Sequence, residues 1–338
     1  VRPLRFVPYE ELIGEPNLIV DGAGTVNTQL TLSHWPGSTV PEPLRADLSA
    51  EIVIRYLEQP DQHVDVELVS NNHFDEDGLL GVFALIDPDA ALAQKEVVVD
   101  VARAGDFGRS HTRRAARVAF AISALVDPQV SPLGPAMFEG EYPAVAARLY
   151  RELLPRVAEL LTDTDRFREL WADEDAHLSE SERILDEGGA TIVEHPELDL
   201  AIVTVPSLLR DRIVHRFTQQ RHAGLHPMAV HNRTDMTRIA YVGEGRYEVQ
   251  LRYETWVQLV SRRPLPRPEL APFATRLNDL ESGGGEWHFD GAAGITPRLG
   301  IRGAEESNLA PHQFIDELLA FLPGAAPAWD PWAPRAPS

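Results

Sequence analysis

Three side chains with metal-binding chemistry stand at alternate positions of one short stretch. They are His73, Asp75 and Asp77, within Ser70-Asn71-Asn72-His73-Phe74-Asp75-Glu76-Asp77-Gly78. At such spacing in an extended turn, one imidazole and two carboxylates can converge on a single divalent cation, with a donor set suited to Mn or Mg. Gly78 lets the backbone turn sharply beside them. A plainer reading is open at this point: Asp75 and Asp77 cap the helix that follows, and His73 is an ordinary loop residue.

The flanking residues say where this stretch should sit. Val64 to Val69 alternates as a half-buried strand does, and Leu79 to Ile86 is an apolar run of helical length that Pro88 ends. The three residues are therefore expected at the carboxyl end of a strand, on the turn into a helix, which is where ligands bind in open α/β sheets. Pro16 to Gly24 and Thr28 to Ser33 read as two further strand-like runs, the first ending in Asp21-Gly22-Ala23-Gly24 and the second at His34. For His34, a packed turn in Ser33-His34-Trp35-Pro36-Gly37 competes with a ligand role. A helix is expected around Asp47 to Leu57, capped by Asp47 or Ser49. Glu96 to Phe107 is expected as a buried strand carrying Asp100 and Asp106, and Arg113 to Ile122 as a helix. Alternating strands and helices predict a parallel α/β sheet over residues 1–165.

Pro143 to Leu161 has helical spacing broken at Pro155. Residues 166–187 read as an acidic, solvated connecting helix. From residue 188 to 325 the pattern becomes that of a smaller α+β domain: strands near Ala190 to Glu194, Leu198 to Val205 and Arg246 to Tyr253. The first two are expected as a hairpin, with helices near Leu208 to Phe217, Leu270 to Leu280 and Pro311 to Leu322. A cleft between the two domains is the expected place for a site. His222, His226 and His231 are spaced across Gly and Pro and make a weak metal signal. Residues 326–338 form a Pro/Trp tail, read either as a docking segment or as packed onto its own domain.

Composition limits the function classes. The 338 residues are 43% hydrophobic and 25% charged, with a formal net charge of -21 and no cysteine. That charge opposes bulk nucleic-acid binding, which depends on clustered positive charge, but leaves room for a small anionic substrate neutralised locally. The absence of cysteine removes disulfides, thiolate metal sites and a Cys nucleophile. Lys95 is the single lysine and has no glycine-rich context, so P-loop chemistry is not expected. No apolar run has membrane-spanning length and no leader pattern stands at the start, so a cytoplasmic location is expected. A homodimer is compatible with all of this.

The His-x-Asp-x-Asp-Gly pattern resembles the first motif of the Asp-His-His (DHH) phosphoesterases, which include exonuclease, pyrophosphatase and nanoRNase relatives. Leu18-Ile19-Val20-Asp21, followed by Leu48-Ser49-Ala50-Glu51-Ile52-Val53, is similar in layout to that family's third motif. Gly22 and Ala23 stand where its two histidines belong, and the segment precedes His73 instead of following it. The order is then either permuted or a chance likeness; His34 can stand in space for a missing histidine. In the second half, Arg252, then Gly283-Gly284-Gly285, His288 and Ala292-Ala293-Gly294 resemble the family's substrate domain, with His288 displaced by two inserted residues. The chain also resembles an uncharacterised bacterial family with similar Leu-Ser-His-Trp-Pro-Gly and Asn-Asn-His-Phe-Asp-x-Asp-Gly blocks.

Taken with the residues, the resemblance implies one or two Mn or Mg ions held by His73, Asp75, Asp77, Asp21, Asp100 and His34. Asp77 (bridging to a second ion) and Asp100 would carry catalysis, and Arg252, His288 and Gly284 would contact substrate. The expected activity is metal-dependent hydrolysis of a small phosphorylated ligand or short nucleotide. The alternatives are a non-catalytic nucleotide- or metabolite-binding protein with a degenerate metal site, which Gly22 and Ala23 favour, and a structural or interaction protein.

Overall fold

The computed structural model describes residues 2–206, 209, 211–216 and 219–333 and divides into two units. Unit 1 comprises Val1–His177 with Arg212–Ala223; unit 2 comprises Leu178–Asp211 with Gly224–Ser338.

Unit 1 is built on four parallel strands, β1 (Arg5–Phe6), β2 (Asn17–Val20), β3 (Thr28–Leu32) and β4 (Leu68–Ser70), in the order β1-β4-β2-β3. Helix α1 (Ser49–Glu58) precedes β4. After it come α2 (Glu76–Ile86), α3 (Pro88–Ala93), α4 (Lys95–Phe107), α5 (Arg113–Val126), α6 (Tyr142–Leu153), α7 (Val157–Thr162) and α8 (Arg168–Asp186). The expected parallel α/β sheet is present. Every residue of β2 is buried, as a central strand covered on both faces requires. Helix α2 lies so close to β2 that a Cβ at Gly81 would stand 2.6 Å from Val20 Cγ1. Pro155 breaks the helical run as expected, with a short 3-10 turn at Leu154–Arg156 between α6 and α7.

Glu96 to Phe107 is α4, not a strand. Its valines suggested β structure, but Val98, Val101, Ala102 and Gly105, all buried, recur at helical spacing. Neither Asp47 nor Ser49 caps α1 with its side chain. The acidic segment is helical, but its face carrying Trp171, His177 and Leu178 is buried, and the division between units falls inside α8.

Strands β5 (Thr191–His195) and β6 (Leu200–Thr204) form the expected antiparallel hairpin in unit 2. The next segment returns to unit 1 as the hairpin β7 (Arg212–Arg216) and β8 (Gln219–Ala223). The helix expected at Leu208 to Phe217 is therefore replaced by strand over 212–216, while 207, 208, 210, 217 and 218 lie outside the described residues. Unit 2 continues with α9 (Pro227–His231), β9 (Arg238–Val242), β10 (Tyr247–Leu251), β11 (Arg267–Pro268), α10 (Ala271–Leu280), β12 (Glu286–Phe289), β13 (Arg298–Arg302), α11 (Pro311–Phe321) and β14 (Pro327–Trp329). Its mixed six-stranded sheet has the order β12-β13-β10-β9-β6-β5, and its core gathers Tyr247, Trp287, Phe273 and Phe314. Among the described residues no helix is long and apolar enough to cross a membrane.

The described part of the Pro/Trp tail packs on unit 2. β14 pairs with β11, and Trp329 stacks on Trp256 with ring centroids 5.9 Å apart; residues 334–338 lie outside the described residues. Trp329→Ala should lower the stability of unit 2 by about 2 kcal/mol, less than a fully buried tryptophan would cost because the ring is only partly covered; urea unfolding followed by intrinsic fluorescence measures it.

Within unit 1, His215 of β7 is held between two carboxylates, Nδ1 2.6 Å from Glu174 Oε2 and Nε2 3.0 Å from Asp127 Oδ2. Burial pulls the His215 pKa down, but Glu174 and then Asp127 outweigh it, and the net shift is upward. A folded-state pKa above the unfolded one means the clamp contributes fully below about pH 6.5 and is lost as pH rises through the folded value. The stability advantage of the native chain over His215→Gln should therefore be largest in mild acid and shrink toward alkaline pH. A constant gap across pH would show that the charge of His215 contributes nothing.

Candidate metal centre

The parallel sheet brings the ends of β2, β3 and β4 to one edge. Val20 is followed by Asp21, Leu32 by Ser33 and His34, and Ser70 by Asn71, Asn72 and His73. Asp21 has φ 46°, a left-handed conformation that a residue other than glycine adopts at a cost and that is frequent at functional positions. Asp75 caps α2, its Oδ1 accepting from Gly78 N at 2.8 Å, so the capping reading holds for Asp75. Its other oxygen lies 2.9 Å from His73 Nε2, so capping and membership of the cluster coexist.

Asp77 stands in the first turn of α2 and caps a different helix. Its two oxygens accept from Ser49 N and Ala50 N, each at 2.7 Å, at the amino end of α1. Ser49 Oγ donates to Asp21 Oδ1 at 2.7 Å. His34 Nδ1 is 2.6 Å from the Asp47 carbonyl oxygen, which can only accept, so Nδ1 carries a hydrogen. In the neutral ring Nε2 then presents a lone pair, at 3.5 Å from Asp21, 3.7 Å from Asp77 and 3.4 Å from Asp106. A histidine oriented by a backbone carbonyl, with its other nitrogen turned toward carboxylates, is the usual arrangement of a metal ligand.

Two ligand groups result: Asp21, His34 and Asp77, and Asp21, His73 and Asp75. In each the ligand atoms lie within 4.8 Å of one another. Asp21 is the member common to both, in the bridging place that the sequence suggested for Asp77. Asp106 joins from α4, and Glu76 is buried nearby with Ser123 Oγ donating to it at 2.6 Å. Five buried carboxylates in this region repel; two unit charges 4.8 Å apart cost roughly 3.5 kcal/mol at an effective dielectric constant of 20. Burial, and then the charges of Asp21 and Asp75, push the Asp77 pKa well above the usual carboxylate range. Burial also tends to raise Asp21, but hydrogen bonding and charge from His73, with help from His34 and Ser49, bring it below its ordinary value. His73 is drawn down by burial and up by Asp75 and Asp21; the carboxylates win and its pKa lies well above 6.5. The proton on His73 is the positive charge that a bound cation would replace. The donor set of imidazole nitrogen and carboxylate oxygen, without thiolate, could hold a divalent cation.

Three of the expected ligands come together with His73 and Asp75, namely Asp21, His34 and Asp77, and Asp106, outside that expected set, approaches His34 from α4. Asp100 does not join them. It lies on α4, and its carboxylate accepts from His111 N, Thr112 N and Thr112 Oγ1 at 2.8–2.9 Å, securing the turn into α5. The expected substrate contacts also have local duties in unit 2. Arg252 is buried in an ion pair with Glu254, and Nη1 donates to the carbonyls of Thr234 and Met236 at 3.1 and 3.2 Å. His288 is half-exposed on β12 and lies 3.8 Å from Asp290. Gly284 has φ 83° in the turn before β12, and Gly285 is required because a Cβ there would stand 2.4 Å from Ile301 Cδ1. Asp106 had a legible signal: it falls four residues after Ala102, a charge on the buried face of an amphipathic helix.

The chain belongs to DUF6687, a family of unknown function, whose profile matches residues 2–333. Comparison with curated proteins gave no match, and neither did comparison with solved structures.

Because a cation would offset the repulsion, Mn should raise the melting temperature of the native protein and a chelator should reverse the rise. At 1,000 times the dissociation constant the linkage is worth about 4 kcal/mol. A melting curve indifferent to millimolar Mn and to Mg would count against a metal centre.

Proposed function

We propose that this protein is a divalent-cation-dependent, phosphoesterase-like hydrolase of small phosphorylated or nucleotide substrates, working in the cytoplasm and related in its chemistry to the DHH phosphoesterases. The observation that carries the reading is the pair of His/Asp ligand groups sharing Asp21 at the carboxyl edge of a parallel sheet. When bound, a pair of Mn or Mg ions supplies Lewis acidity, a more acidic water and neutralisation of phosphoryl oxygens. The chain's own residues supply the rest. Asp21 is shared between the two positions; the Ser49 and Ala50 amides fix Asp77; the Asp47 carbonyl fixes the tautomer of His34. His73 is the most exposed of the ligands and marks the open side.

A second reading, a non-catalytic relative that binds a nucleotide or metabolite, is favoured by one observation. Arg252, assigned to substrate by resemblance, is taken up by Glu254 and two backbone carbonyls.

Metal analysis of protein purified without chelator or affinity-metal columns, followed by a phosphoester screen, tests the first reading. One or two equivalents of Mn are expected in the native chain, with loss in Asp75→Ala and Asp77→Ala and a fall in turnover of at least a hundredfold. Full turnover in Asp77→Ala would exclude this mechanism. Bound nucleotide that survives chelation, with no hydrolysis, would favour the second reading.

A further inference from the structure

Two buried hydrogen-bond donors beside the centre are not used by the fold. Asn71 and Tyr150 are 3% and 1% exposed, yet Asn71 Nδ2 and Tyr150 Oη make no hydrogen bond within the protein. An unsatisfied buried donor costs on the order of 1–3 kcal/mol, so each of these two calls for a partner, which a water or a ligand oxygen can supply.

Both donors are held in place. Asn71 Oδ1 accepts from His73 N at 2.9 Å, which fixes which end of the amide is oxygen. The Tyr150 ring is stacked on Phe6 at 4.9 Å and meets Phe74 edge-on at 5.0 Å. Their polar atoms converge above the Cα of Gly78. A Cβ there would stand 2.2 Å from Asn71 Nδ2, 2.7 Å from Tyr150 Oη and 3.1 Å from Asp75 Oδ1. Glycine at this position keeps the two donors against the Asp75 side of the centre. Asn71 and Tyr150 also line a small pocket together with Phe6, Pro8, Tyr9 and Glu10.

We propose that Asn71 Nδ2 and Tyr150 Oη form a two-donor oxygen subsite that receives an oxygen of the phosphoryl group at the His73–Asp75 side of the centre. This rests on the phosphoesterase reading and adds two substrate contacts to those that the resemblance implies for Arg252 and His288. The subsite is uncharged, so it takes an oxygen by direction of its donors and leaves charge neutralisation to the cation. Asn71 and Tyr150 thereby touch substrate without ligating metal, and Gly78 is their positioning residue.

Inorganic phosphate is the probe, titrated calorimetrically into the full chain with Mn present. Tyr150→Phe keeps the ring stack and removes only the hydroxyl. It should melt at the same temperature as the native protein or higher without metal, bind Mn equally, and bind phosphate on the order of 10-fold or more weakly, as loss of one hydrogen bond to a charged group implies. Gly78→Ala, with a methyl group driven between the donors, should also lose phosphate binding. Native phosphate affinity in Tyr150→Phe, with Mn bound, would overturn the subsite and leave the metal reading standing. Failure of the native chain to take up Mn would overturn both, because the oxygen in question is one that the cation presents. A large fall in the melting temperature of Tyr150→Phe would show that the hydroxyl serves the fold, and would overturn the subsite as well.

Discussion

The rest of unit 1 depends on a cost: like charges buried together. Asp21, Asp75, Asp77, Asp106 and Glu76 are all removed from water in one region, and their repulsion has to be met by something. Part of the answer is local. The Ser49 and Ala50 amides at the positive end of α1 meet Asp77, the Gly78 amide meets Asp75, and the Ser49 and Ser123 hydroxyls meet Asp21 and Glu76. Protonated His73 supplies a further positive charge. Helix dipoles and hydroxyls carry only partial charge, and the divalent cation we propose would add a full one.

The same contacts explain why the fold has its local shape. A capping carboxylate on α2 that serves α1 ties two helices together at the sheet edge where the ligands emerge. Gly81 allows α2 to approach β2, and Gly78 leaves space for Asn71 and Tyr150. Asp21 accepts a left-handed backbone conformation at the point where β2 ends and the centre begins. Strain at Asp21, the unpaired donors of Asn71 and Tyr150, and crowded charge lie at this one edge of the sheet. Backbone strain and crowded charge of this kind are frequent at functional sites.

Unit 2 makes a contrast. Its glycine run, its buried Arg252 and Arg267 and its tryptophan pair all have structural explanations. Arg267 alone donates to the carbonyls of Arg252, Ala292, Gly294 and Ile295, holding the loop that carries Ala292-Ala293-Gly294. The motif-like composition of that segment thus also serves a tight loop around a buried guanidinium.

By itself the sequence determined the alternation that makes a parallel sheet, the break at Pro155, the hairpin at β5 and β6, and the placing of His73, Asp75 and Asp77 on a strand-to-helix turn. These are local consequences of periodicity, proline geometry and capping chemistry, which neighbouring residues suffice to express. Other features were decided only in three dimensions. The valine-rich run became α4 because its buried positions recur at helical spacing on the packed face, which sent Asp100 to a cap and Asp106 to the centre. His34 joined because β3 lies beside β2 in the sheet, so two segments separated in the chain end side by side. Asn71 and Tyr150 meet across 79 residues of sequence, a distance over which no spacing rule operates. Only the packing of α6 against the sheet brings the phenol to the amide.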